Sequence, residues 1–314
     1  MGDNQPIAIN AGTWNPQVDA ESQDDWDIRV GSALQRKSII QAGNSNASPP
    51  QWGAAELIAT ENATVKQYVH DYAHHNYPGG SLTSLMSHSD IVSNTAVFKA
   101  EVAAAATTGK EYVLGETNSV SGGGAATVSP LFGAAIWTLD YTLRAASIGI
   151  KRIYYHHGTI GKCFYCFWGR YDMGSPYYGA YAATAFMAGG SSIVSLDAGT
   201  SNYGAYAVFD HAGGALKVLL VNSDYYGGNS TGVRGSTTFV LSGLEDGAVK
   251  AKRLTAPSSN SRVDQGENPT FGGQEIANVT CAVLGTEVWE ETEVVGGQAS
   301  FVVGASEALL VYLK

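Results

Sequence analysis

The stretch from Lys110 to His156 constrains the fold more than any other. Lys110 to Gly115, with the apolar run Tyr112-Val113-Leu114, reads as a short strand, and Glu116 stands at its C-terminal tip. A glycine-rich loop follows, Val120-Ser121-Gly122-Gly123-Gly124. Pro130 to Ser147 then reads as a helix, with Phe132, Ile136, Leu139 and Leu143 on one face and Gly149 placed to terminate it. Lys151 to His156 is the next strand. Strand, helix, strand in this order requires parallel strands with the helix outside them. A carboxylate at the C-terminal tip of such a strand sits where barrel enzymes carry their chemistry, and the glycines let a ligand approach the backbone.

The same alternation runs through the first 190 residues. Asp19 to Gln35 reads as a helix, with Trp26, Val30 and Leu34 at spacings of four. Ser38 to Ala42 reads as a strand. Val65 to Tyr77 is a second strand candidate, running into His74-His75-Asn76-Tyr77-Pro78. Ser89 can cap a helix from Asp90 to about Thr107, and Tyr177 to Ala188 is a last helix. About four βα units result, half of an eightfold barrel. Beyond Gly189-Gly190-Ser191 the pattern changes to short alternating strands: Ser192–Ala198, Gly204–Asp210, Leu216–Ser223, Ser236–Leu241, Val249–Leu254, Gln298–Val303 and Ala308–Leu313. The expected fold is α/β plus all-β. Residues 1–190 form the C-terminal part, about strands 4–8, of a (β/α)8 barrel, and residues 191–314 form a β-sandwich.

Composition narrows the function. A formal charge of -10 with no basic stretch argues against a nucleic-acid partner. No apolar run reaches the roughly 18–20 residues of a membrane helix. Met1 to Pro6 has neither a charged nor an apolar signal region, and Pro6 breaks the myristoylation pattern. Low charge (15%) with 38 Gly and 17 Tyr fits an extracellular enzyme rich in turns. Sequons at Asn46, Asn62, Asn229 and Asn278 point the same way. Cys163-Phe164-Tyr165-Cys166 has redox spacing, but its aromatic loop is not a thioredoxin-like strand-to-helix turn. A bridge from Cys163 or Cys166 to Cys281 is the alternative. The doublet His74-His75 lacks a third ligand at suitable spacing, so no metal is expected.

The segment Leu114-Gly115-Glu116-Thr117-Asn118-Ser119-Val120-Ser121-Gly122-Gly123-Gly124-Ala125 resembles glycoside hydrolase family 79, which includes fungal β-glucuronidases and heparanase. The likeness continues through Phe132–Asp140 and Ala145–Ile150, and His157-Gly158-Thr159 resembles the loop after barrel strand eight. The resemblance implies a retaining glycosidase, secreted, without a cofactor, acting on a glucuronic-acid-containing glycan or glycoside. Glu116 takes the place of the family's nucleophile. Retention needs a second carboxyl about 5–5.5 Å away as acid/base. The family places that acid at an Asn-Glu-Pro motif ending strand four. This chain has Asn4-Gln5-Pro6, 111 residues before Glu116, a separation close to three βα units of about 35 residues each. Either Gln5 occupies the acid/base position, or these residues are an unrelated start left by truncation. Both readings omit strands one to three, leave open strand edges for self-association, and leave the chain impaired as a hydrolase.

The resemblance also implies substrate contacts. His74, His75 and Tyr77 end the strand before the nucleophile's; Asn118 follows Glu116; Gly161, Lys162 and Tyr165 lie in the loop after strand eight. Ser121 stands where a carboxylate contact is expected, without the family's Tyr, which bears on uronate specificity. His88 either caps a helix or contacts sugar, and His156 reads as a packed structural residue. Glu56, Glu61 and Glu101 read as solvated acids, and the Glu290–Glu293 run as an exposed strand or turn. The alternatives to an impaired β-glucuronidase are a non-catalytic sugar-binding relative and a heparanase-like endo-enzyme. The latter fits poorly with so few basic residues at the strand tips.

Overall fold

Three consecutive apolar residues, Tyr112, Val113 and Leu114, are all buried, the mark of a strand covered on both faces. The structure is a computed structural model and describes residues 15–45, 52–158, 163–169, 171–228 and 233–313. In chain order its first elements are α1 (Pro16–Leu34), β1 (Ile40–Ser45), α2 (Ala54–Thr60), α3 (Ala63–Lys66), β2 (Val69–Asn76), α4 (Leu82–Met86), α5 (His88–Ala96), α6 (Lys99–Thr107), β3 (Glu111–Thr117), α7 (Phe132–Ser147), β4 (Ile153–Tyr155) and α8 (Ser175–Met187). The chain divides into two units. One holds the described residues of 1–77, 94–118 and 148–156; the other holds those of 78–93, 119–147 and 157–314.

The first unit is built on a four-stranded sheet in the order β1-β2-β3-β4, parallel throughout. Val69, Tyr72 and Ala73 of β2 and Tyr112, Val113 and Leu114 of β3 supply its core. Several local expectations change. The stretch from Val65 to Tyr77 is not one strand: the Asn62 side chain accepts from the amides of Thr64 (2.8 Å) and Val65 (3.0 Å), and this cap starts the short helix α3. The expected helix from Asp90 to Thr107 is two helices. The break places Phe98 in the core, its ring 5.7 Å from that of His74 and 6.3 Å from that of Tyr112. Ser89 lies inside α5 rather than capping it. The helix α1 forms as expected, but Trp26, Val30 and Leu34 are exposed.

Two acids read as solvated are buried. Glu101 is fully buried and accepts from the Ala55 amide at 2.9 Å. Glu61 accepts from the Tyr72 hydroxyl at 2.7 Å, and burial pushes its carboxyl up to about 7 despite that bond.

The second unit contains α7, α8 and the sandwich. Gly179 of α8 touches Ala135 of α7 so closely that a Cβ would lie 2.1 Å from the Ala135 carbonyl oxygen. The sandwich strands are β5 (Ser192–Ser195), β6 (Tyr203–Phe209), β7 (Ala215–Asn222), β8 (Ser236–Ser242), β9 (Gly247–Thr255), β10 (Thr270–Phe271), β11 (Glu275–Ile276), β12 (Val283–Leu284), β13 (Glu290–Val294), β14 (Gln298–Gly304) and β15 (Glu307–Tyr312). One sheet runs β10-β9-β15-β7-β6-β5 with β13 on β9, and β14 pairs with β8 in the facing sheet. Phe301 and Val303 of β14 meet Leu220, Ala251, Leu309 and Val311 in a shared core. The Glu290–Glu293 run is a strand, with Glu290 bound to Arg253 at 2.7 Å. Cys163 and Cys166 are bridged to each other, so Cys281 is free and exposed rather than paired with either.

His88 neither caps a helix nor offers itself to a sugar. It is fully buried, and its ring nitrogens give Nδ1–H to Asp140 (2.8 Å) and Nε2–H to Asp197 (2.9 Å). The Tyr206 hydroxyl donates to the other Asp140 oxygen at 2.5 Å, and the Ala205 and Gly199 amides donate to Asp197. Burial opposes a charge on His88, but the Asp140 carboxylate and the bonds to both acids push it up to about 10. Burial likewise opposes charge on Asp197, yet its bonds to His88 and Ala205 hold it below the usual carboxylate range. Gly204 has no room for a side chain, because a Cβ would lie 2.6 Å from His88 Nδ1.

The linkage has a definite sign. The folded value of His88 is raised, so its stabilisation is complete below its ordinary 6.5 and is lost as pH rises through about 10. The folded value of Asp197 is lowered, so its stabilisation is present above its ordinary 3.8 and is lost on acidification below that. Unfolding midpoints in urea should therefore fall between pH 7 and 10 and flatten in His88→Gln. His88→Ala strands the buried Asp140 and the partly buried Asp197 and should cost about 3–5 kcal/mol in the same assay. A wild-type midpoint that is flat across that range would contradict this account.

Among the described residues no helix is long and apolar enough to cross a membrane, and no group of three or more His, Cys, Asp or Glu is placed to hold a metal.

Candidate active site

Glu116 owes its position to a bulge. His74 pairs with Leu114 and His75 with Glu116, so Gly115 is an extra residue on β3. Glycine is required there: a Cβ would lie 2.2 Å from Asn44 Oδ1 and 2.8 Å from Gln41 Oε1. The strand end is tied on both sides. Thr117 Oγ1 donates to the Asn76 carbonyl (2.5 Å), the His156 amide donates to the Thr117 carbonyl (2.8 Å), and Asn118 Nδ2 donates to the His156 carbonyl (3.0 Å). A carboxylate mounted on a strand tip fixed in this way loses little freedom when it reacts.

The Glu116 side chain is 30% exposed. The Tyr77 hydroxyl donates to Oε1, and His75 Nδ1 lies 4.0 Å from Oε2. One oxygen is thus held by a phenol while the other faces an imidazole. That geometry orients a carboxylate to use a single oxygen as a nucleophile or acceptor. A hydrogen bond to a charged group is worth about 1.5–3 kcal/mol. Tyr77→Phe should accordingly slow any reaction in which this carboxylate must hold one oxygen fixed, by roughly 10- to 100-fold, read as the rate of its labelling by a carboxylate-directed reagent. An unchanged rate would show that Tyr77 does not orient the carboxylate.

The first unit therefore brings Glu116, Tyr77, His75 and Asn118 together. His74 points to the opposite face of β2, as strand alternation requires, and packs beside Phe98. His156 is exposed rather than packed. Gln41 and Asn44 flank Gly115 because β1 runs on to Ser45, beyond the strand expected over Ser38 to Ala42. In the second unit Ser121 is exposed in the glycine-rich loop, and Tyr165 is buried. The Phe164 amide donates to the Gly123 carbonyl at 2.7 Å, and a Cβ on Gly124 would lie 3.0 Å from the Tyr165 nitrogen, so loop and segment are in close contact. Gln5, Gly161 and Lys162 lie outside the described residues.

The sequence profile of the glycosyl hydrolase family 79 C-terminal beta domain matches residues 205–310, within the sandwich. A β-glucuronidase of Aspergillus niger is 32% identical over 218 residues, 60% of this chain and 40% of that protein. A β-glucuronidase of Neurospora crassa is 26% identical over 279 residues, 79% of this chain and 48% of that protein. The crystal structure of a 4-O-α-L-rhamnosyl-β-D-glucuronidase from Fusarium oxysporum 12S, in complex with Rha-GlcA, superposes with a TM-score of 0.91 at 45% identity, covering 98% of this chain and 66% of that one. A parallel βα sheet carrying a carboxylate at a strand tip, followed by a β-sandwich, is here the fold of a glycoside hydrolase. The chain belongs to glycoside hydrolase family 79. It spans less than half the length of the two fungal β-glucuronidases.

Proposed function

We propose that Glu116 is the nucleophile of a retaining glycosidase that removes terminal β-D-glucuronosyl residues. The observation that carries this reading is Glu116 itself: a partly exposed carboxylate on a bulged strand tip, with the Tyr77 hydroxyl on one oxygen. In this reading β1 to β4 are strands five to eight of a barrel and β3 is the seventh. Glu116 attacks the anomeric carbon, the aglycone oxygen leaves, and a covalent glycosyl-enzyme forms; water then displaces Glu116 with net retention. The named activities of the three fungal relatives support the glucuronyl class. An extracellular glycan is the fitting substrate, given the chain's low charge and sequons.

The partners of Glu116 among the described residues are a phenol and an imidazole. By its motif Gln5 holds the acid/base position, and an amide has no proton to give a leaving oxygen. The chain should then open dinitrophenyl β-D-glucuronide, whose leaving group needs no protonation, and scarcely turn over methyl β-D-glucuronide. Equal rates on the two would overturn the assignment of Gln5. Activity on neither, with glucuronide still bound, would favour the second reading, a sugar-binding relative.

A further inference from the structure

Two bulges flank the same stretch of β2, residues 73–75. On β3 the extra residue is Gly115. On β1 it is Asn44, because Gly43 pairs with Ala73 and Ser45 with His74. The β3 bulge decides which way Glu116 faces. In an unbroken strand, neighbours alternate between the two faces. A Cβ on Gly115 would lie 3.1 Å from the Cβ of Ala73, so Gly115 is on the Ala73 face of the sheet. Glu116 is on that face too, since it pairs with His75, whose Nδ1 lies 4.0 Å from Oε2. Two successive residues share a face only across a bulge. Were β3 regular, Gly115 would pair with His75, and Glu116 would turn to the opposite face, where His74 packs beside Phe98. The carboxylate would then be lost to the site.

The support for the bulge comes from β1. β1 and β3 do not pair, because β2 lies between them. The side chains of Asn44 and Gln41 nonetheless reach across β2, beside the small side chain of Ala73, and their oxygens fill the space that a side chain at Gly115 would take. Asn44 is itself anchored, its Nδ2 donating to the Gln41 carbonyl at 3.3 Å. Its backbone is left-handed, with φ 67°, and its Oδ1 is buried without a donor among the described residues. Both features oppose folding: a left-handed residue with a side chain is strained, and an unpaired buried acceptor has lost its water. Such costs persist where function needs the geometry they bring.

We infer that Asn44 is a positioning residue for Glu116. Its amide, seconded by that of Gln41, wedges against Gly115, keeps β3 bulged and so keeps the carboxylate on the face of His75. The placement stands on these contacts; its consequence for catalysis rests on the proposed role of Glu116.

The test compares Asn44→Gly with the parent protein. Glycine takes a left-handed φ freely, so the substitution removes the wedge and leaves that backbone its conformation. Glu116 is coupled to glycine ethyl ester with a carbodiimide: the carboxylate oxygen adds to the carbodiimide, the amine displaces the urea, and an amide forms. Peptide mapping follows the product, with the exposed Glu291 as internal reference. Labelling of Glu116 should fall by about tenfold, as when an equilibrium between bulged and regular β3 moves by one decade. Gln41→Ala should act in the same direction, by about threefold. The urea midpoint of Asn44→Gly should match or exceed the parent's, because the strained conformation and the unpaired acceptor are both gone. With dinitrophenyl β-D-glucuronide, kcat should fall alongside labelling while KM stays within about twofold. The coupling needs no glucuronide, so a chain that opened none would refute the role of Glu116 and leave the placement standing. Unchanged labelling of Glu116 in Asn44→Gly would overturn the inference. So would labelling and the urea midpoint falling together, the mark of a merely structural contact.

Discussion

Gln5→Glu is expected to raise turnover of methyl β-D-glucuronide by about 10²- to 10⁴-fold, the usual contribution of a positioned general acid. The substitution changes an amide for a carboxylic acid of nearly the same shape, so what it adds is a transferable proton. The gain should depend on the leaving group. Methanol is a poor leaving group and needs protonation as the bond breaks; dinitrophenolate does not, and its departure should hardly change. In the unsubstituted chain, sodium azide offers a second readout. Azide needs no general base to attack a glycosyl-enzyme, so it should yield the β-glucuronyl azide. A Gln5→Glu variant no better than its parent on methyl β-D-glucuronide would remove Gln5 from the site.

Glu116→Gln should abolish covalent chemistry altogether, a loss on the order of 10⁴-fold or more even with the dinitrophenyl leaving group. The argument is positional. Glu116 sits on a strand tip held by Asn76 and His156, and the phenol of Tyr77 fixes one of its oxygens. A glutamine keeps the shape and loses the nucleophile. Glu116→Ala sharpens the test, because azide can enter the vacated space and attack the anomeric carbon directly from the face Glu116 would use. The product should then be the α-azide, opposite in configuration to that of the Gln5 chain. A β-azide from Glu116→Ala would mean that another group forms the intermediate.

The sequence made much of this visible because parallel strands write themselves as unbroken apolar runs. Tyr112-Val113-Leu114 could hardly be anything else, and the residue after such a strand falls at its tip by geometry alone. The sandwich was equally legible from alternation, as in Gln298–Val303, where every second residue is buried. What stayed hidden were effects between residues distant in sequence. Nothing near His88 announces that Asp140 and Asp197 will close on it from 52 and 109 positions away. Glu61 and Glu101 looked solvated because a buried acid is distinguished by its partners, Tyr72 and Ala55, rather than by its neighbours in the chain. The bulge at Gly115 was invisible for the same reason: it answers to Asn44 and Gln41 on β1. Asn62, by contrast, is a local signal: its side chain accepts from the amides two and three residues on and so starts α3 where an extended strand is expected.

The central claim is that Glu116 forms the covalent bond to the sugar. Incubation with a ring-fluorinated β-glucuronyl fluoride tests it most directly. The ring fluorine slows both steps, and fluoride leaves without protonation, so the glycosyl-enzyme accumulates even with an amide at Gln5. Peptide mapping by mass spectrometry should find one fluoroglucuronyl group, on Glu116 within Glu111–Thr117, and none in Glu116→Gln. Label on any other carboxylate, or no label while the sugar demonstrably binds, would contradict the account.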